Sequence, residues 1–102
     1  MKTEKEKLFH KAMLGIYVVA KEECNYVATR FLKMLTNHGG IETAKILLHS
    51  SHVSEGYTAL WERKRLDLTV EALVVKDAWS DLFSEEEINI AKNRLYEYGY
   101  KF

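Results

Sequence analysis

The sequence predicts an all-α protein, a compact single domain over residues 1–102 built as a bundle of five to seven short helices. Three observations carry that prediction. The chain of 102 residues contains no proline, so no helix interior is broken by one. Apolar residues recur at helical spacing through most of its length. Two capping boxes, Thr3 with Glu6 and Ser84 with Glu87, stand directly before such runs.

The first helix is predicted from Glu4 to about Glu22, with Leu8, Ala12, Ile16 and Val19 on one row and Phe9, Met13, Tyr17 and Ala20 beside it. The pattern continues through Val27, Phe31, Met34 and Leu35 to Asn37, but weakens at Cys24-Asn25, where asparagine competes for its own backbone. Two helices, or one kinked helix, are expected to meet there. His38-Gly39-Gly40 ends the second, because histidine suits the negative end of the dipole and glycine accepts the left-handed cap. A third helix turns Ile41, Ala44, Leu47 and Leu48 inward and runs into the polar loop His49-Ser50-Ser51-His52. Ser54 then caps a helix over Glu55 to about Lys64, with Tyr57, Leu60 and Trp61 as its apolar face. Helical register places Tyr17 and Trp61 in the core.

Residues 66–75 fit two templates. Leu66, Leu68 and Val70 alternate with Asp67, Thr69 and Glu71 as a strand would, yet Leu66, Val70, Leu73 and Val74 also fit a helix. A lone strand needs a partner, and no other strand-like run or hairpin signal is present, so a helix with Asp67 near its N-terminus is the expectation. Lys76-Asp77-Ala78 breaks it, residues 79–83 form an irregular or single-turn link, and Ser84 opens a last helix carrying Ile88, Ala91 and Leu95 that ends at Gly99. Tyr96, Tyr98, Tyr100 and Phe102 crowd the terminus, which is expected to dock.

The stretch from Gly56 to Val75 also carries a resemblance. Gly56-Tyr57, Leu60-Trp61 and the run Arg65-Leu66-Asp67-Leu68-Thr69-Val70-Glu71 are similar to the signature of a small bacterial and phage helical module. Ala28 to Leu32, Gly39-Gly40, Ala44-Lys45, Leu47-Leu48 and Leu82-Phe83 extend the likeness, which runs from about Leu14 to Tyr100. The resemblance implies one helical domain of bacterial or bacteriophage origin and brings no reaction with it.

Composition narrows the function classes. Fifteen basic and fifteen acidic side chains give a net charge of zero, so there is no overall attraction to nucleic acid or anionic membrane. Residues 1–66 nevertheless carry +4 and residues 67–102 carry −4, which makes a dipolar molecule if the fold keeps the two parts apart. One cysteine, Cys24, excludes an internal disulfide and fits a reducing cytoplasm. The charged start MKTEKEK is unlike a signal peptide, and no apolar run approaches the ~18 residues of a spanning helix.

Four constellations are candidates for chemistry. His49 and His52, with His38 or Glu55 as a third ligand, have a loose metal-site spacing, and two histidines in a polar loop fit a solvated helix end as well. Arg63, Lys64 and Arg65 beside Trp61, with Lys45 and Arg30 on other helices, form the candidate binding set, since cations beside an aromatic can hold phosphates and stack on a base. Their alternation with Glu62 and Asp67 also fits a solvated helix end, and Arg30 is expected to pair with Asp67 or Glu71. Asp67 and Glu71, four apart, can act as an acid and base pair or bind a divalent cation if a cleft tunes them, but an N-cap and an ion pair through Arg30 or Arg65 are the favoured reading, since no nucleophile, phosphate loop or metal cluster accompanies them. Cys24, on an apolar row, reads as a small core residue.

No catalytic motif, metal cluster or cofactor loop accompanies these residues, so the expectation is a non-enzymatic, cytoplasmic interaction module without cofactor, metal or membrane. Its partner would be another protein or a second copy of the chain. Nucleic-acid binding through the basic set is the alternative, and a small metal-dependent hydrolase a more distant one.

Overall fold

Thr3 starts the first helix as its spacing to Glu6 predicts: its hydroxyl accepts from the Glu6 amide and the Glu6 carboxylate accepts from the Thr3 amide. The computed structural model describes residues 3–101; Met1, Lys2 and Phe102, the last placed by the sequence in the terminal aromatic cluster, lie outside them. Among the described residues the fold is all helical, as the sequence predicts. It comprises α1 (Glu4–Cys24), α2 (Thr29–His38), α3 (Gly40–His49), α4 (Glu55–Glu62), α5 (Val70–Val74) and α6 (Glu85–Glu97), with 3-10 turns at Leu66–Leu68 and Asp77–Leu82.

α1 and α2 are separate helices. Asn25 takes the left-handed conformation (φ 56°), which an asparagine tolerates, and reverses the chain. Between α2 and α3 there is no loop: Gly39, at φ 81°, ends one helix and starts the next. Its neighbour Gly40 has a different reason, missed by the cap argument. A Cβ there would lie 2.7 Å from the His10 Cα, so the missing side chain lets α3 meet α1 backbone to backbone.

Phe9 and Met13 of α1, Leu35 of α2, Ala44 and Leu48 of α3, Val70, Leu73 and Val74 of α5, Phe83, and Ala91 of α6 form one core. Phe9 meets the rings of Trp79 and Phe83 edge-on at 5.4 and 5.3 Å. A second cluster of Tyr57, Leu66, Ala72 and Leu95 lies under Tyr98 and Tyr100, which docks the described part of the tail as expected, although Tyr96 is exposed.

Residues 66–75 are not one continuous helix. Thr69 is extended (ψ 158°) and divides a 3-10 turn from α5; its hydroxyl donates to the Leu66 carbonyl at 2.7 Å and accepts from the Ala72 amide at 3.1 Å. Thr69, not Asp67, is therefore the cap. The helix template holds in part, since Leu66, Val70, Leu73 and Val74 are buried, whereas Thr69 and Glu71, which the strand alternation would turn outward, are buried too.

α4 is shorter than expected and ends in a Schellman motif, with the Lys64 amide donating to Trp61 and the Arg65 amide to Leu60. Lys64 occupies the left-handed position (φ 60°) that Gly99 fills in the same motif after α6. Trp61, expected in the core, is 44% exposed, and Tyr17 is half-buried. Tyr57 and Leu60 already fill the inward face, so Trp61 is left at the edge against Tyr98, with ring centroids 5.3 Å apart.

Candidate functional site

The basic set does not converge into one free patch. The Arg63 guanidinium lies 5.2 Å over the Tyr26 ring, and its Nε and Nη1 donate to the carbonyls of Cys24 and Ala59 at 3.2 and 3.0 Å. It thereby ties the end of α1 to α4. Arg65 donates to Glu23 at 2.8 Å and to Asp67 at 3.1 Å. Lys45 is held elsewhere, on Glu87 at 2.8 Å and over the Phe83 ring at 5.4 Å. Lys64 is exposed on its turn and Arg30 is exposed in the first turn of α2, where its charge acts on Tyr26 and not, as expected, on Asp67 or Glu71.

Asp67 and Glu71 are likewise separated by the break at Thr69. Asp67 is exposed with Arg65, whereas Glu71 is 2% exposed and accepts from Arg94 Nη1 at 3.0 Å. Sequence reasoning missed Arg94. It also donates to the carbonyls of Leu47 and Ser50 at 3.0 and 2.6 Å, while its own carbonyl accepts from the Tyr57 hydroxyl at 2.9 Å. One side chain therefore joins α6 to α5 and caps the end of α3. The signal was its register, because Arg94 falls on the inward stripe of Glu87, Ala91 and Tyr98. Burial pushes the Glu71 carboxyl above its ordinary range, and neither its helix amide nor Arg94 fully offsets that.

Glu87 is the converse. It too is buried, which raises a carboxyl, but Lys45, the Ser84 amide and His49 together hold it down at about 2. His49 Nε2 lies 2.8 Å from the Glu87 carboxylate, while His52 lines a cavity with other neighbours. Among the described residues no group of three His, Cys, Asp or Glu side chains could hold a metal ion. Among the described residues the pairs Lys5 with Asp81, Lys45 with Glu87 and Arg65 with Asp67 join the positive part of the sequence to the negative part, so the fold does not keep these opposite charges apart.

The cavity is about 460 Å³ in volume. Its walls come from the C-terminal half of α1, the Tyr26 to Arg30 turn, α2, the start of α4 and the Leu68 to Glu71 break. Ile16, Ala20, Phe31, Leu47 and Leu60 give it an apolar interior. Glu71 contributes a buried acid, and Thr29, Arg30, Ser50, His52 and Glu55 are its exposed polar members. No protein-family model, curated protein or solved structure matches this chain.

What the arrangement offers chemically is therefore read from these residues alone. Arg63, Arg65, Lys45, Glu87 and Arg94 hold helices together. Cys24, half-buried at the end of α1, takes part through its backbone carbonyl. Among the surfaces left over are the cavity and the aromatic edge of Trp61 and Tyr98, with Tyr96 exposed nearby in sequence at 67%. No helix among the described residues is long and apolar enough to cross a membrane.

Proposed function

We propose that the protein is a non-enzymatic interaction module of the bacterial cytoplasm and that it binds a protein partner or a second copy of itself through the aromatic edge around Trp61. The observation that carries the reading is the position of Trp61: a large ring fixed edge-on against Tyr98, yet 44% exposed. Tryptophan and tyrosine supply much of the energy of protein interfaces, and a ring already held in place loses little freedom when a partner covers it.

The nucleic-acid alternative has weaker support. Arg63, Arg65 and Lys45 are engaged with internal acceptors, which leaves Lys64 and Arg30 as the more open members of the candidate set. A local footprint of that size falls short of the basic stripe that phosphate binding draws on.

The test is sedimentation of the purified chain, alone and with candidates captured from its host, with Trp61→Ala as the control. Association that Trp61→Ala weakens supports the proposal; a monomer whose captured partners are indifferent to Trp61→Ala overturns it. A low-salt gel shift that responds to Arg63→Ala and Arg65→Ala would favour the alternative instead.

A further inference from the structure

We propose that the cavity between α2 and α4 binds a small apolar molecule carrying one ammonium or similar cationic group, with the Glu71 carboxylate as its anchor. Trp61, on which the interaction reading rests, is not part of the lining, so the two proposals stand separately.

Size comes first. An apolar cavity of about 150 Å³ holds a benzene ring, and this one is about three times larger. Two fused rings or a branched chain fit, in the range of ordinary small-molecule sites. Ile16, Ala20, Phe31, Leu47 and Leu60 supply the apolar contact.

Charge then selects the head group. Glu71 is 2% exposed and belongs to the lining. Its ion-pair partner Arg94 divides its donors between Glu71 and the carbonyls of Leu47 and Ser50. Burial still outweighs what Arg94 and the helix amide return, so a further counter-charge beside the carboxylate would favour its ionised form. A ligand cation supplies it where water is excluded, the setting in which charge-assisted hydrogen bonds are strongest. The other charged side chains of the lining, Arg30 and Glu55, are both exposed and opposite in sign.

The head group is tested with three probes sharing one ring system, naphthylmethylamine, naphthylmethanol and naphthoic acid, titrated into the full chain and followed by amide NMR. The amine should shift the resonances of Ile16, Leu60 and Glu71 and bind about tenfold more tightly than the alcohol or the acid. Glu71→Gln should lower the amine to the level of the alcohol. Gly56→Leu fills the cavity from α4, where an added Cβ meets nothing closer than 3.8 Å, and should weaken all three about tenfold. Should Glu71→Gln not fold, the head-group order in the native chain and the effect of Gly56→Leu decide the question. The proposal is overturned if no probe shifts those resonances, if the acid matches the amine, or if binding is indifferent to Gly56→Leu or to a folded Glu71→Gln.

Discussion

Replacing Glu87 by glutamine removes one negative charge from the junction of α3 and α6 while keeping an oxygen that can still accept from the Ser84 amide. The carboxylate bonds Lys45 Nζ and His49 Nε2 at 2.8 Å each, and the Ser84 amide at 2.9 Å. Its carboxyl is held at about 2 against an ordinary 4.5, which at about 1.4 kcal/mol per pH unit corresponds to about 3 kcal/mol. Lys45 and His49 are 35% and 50% exposed, so solvent screening reduces the expected loss at neutral pH to about 1–2 kcal/mol. The folded value is the lower one, so this stability is present above the unfolded value and is lost as pH falls through the folded value. Urea unfolding followed by circular dichroism, at a series from neutral to about pH 2, should show native and Glu87→Gln stabilities differing at neutral pH and converging between about pH 4.5 and 2. A difference that persists unchanged to the acid end, or its absence at neutral pH, would refute the assignment of Glu87 as the charged link between α3 and α6.

Three further outcomes are expected. Arg94→Met leaves Glu71 buried without its partner and should cost about 3 kcal/mol at neutral pH, and much of that should return in Arg94→Met/Glu71→Leu; a loss below about 1 kcal/mol in the urea midpoint would contradict the role given to the pair. Gly40→Ala brings a Cβ within 2.7 Å of the α1 backbone and should destabilise by about 1–3 kcal/mol, visible as a lowered melting temperature, whereas a neutral effect would mean that α1 and α3 approach less closely. Lys64→Gly relieves the left-handed backbone at the end of α4; after the greater chain entropy of glycine is subtracted it should gain about 0.5–1 kcal/mol in the same assay, and a loss would show the Lys64 side chain contributing to the fold.

Several elements were legible because their causes lie within one turn of chain. Thr3 with Glu6, Ser84 with Glu87, and Ser54 all act as the caps their spacing announces. Asn25 reverses the chain where the apolar pattern weakens. The candidate site was less legible. Arg63 and Arg65 read as a basic patch until Cys24, Glu23 and Tyr26 are brought against them from about forty residues away. Glu71 read as half of a carboxylate pair with Asp67 on one helix face, but Thr69 breaks the register and Arg94 meets Glu71 from another helix.

The sequence by itself determined that this protein is helical and where most of its helices start, because capping and period depend on neighbours three or four residues apart. It could not say which of two tandem glycines serves a cap and which a close approach, since that needs the distance from Gly40 to His10. Nor could it say which ring of α4 stays outside, or which acids are buried. Only the tertiary structure decided those, because burial and long-range pairing depend on which helix faces come together, and no local spacing encodes that.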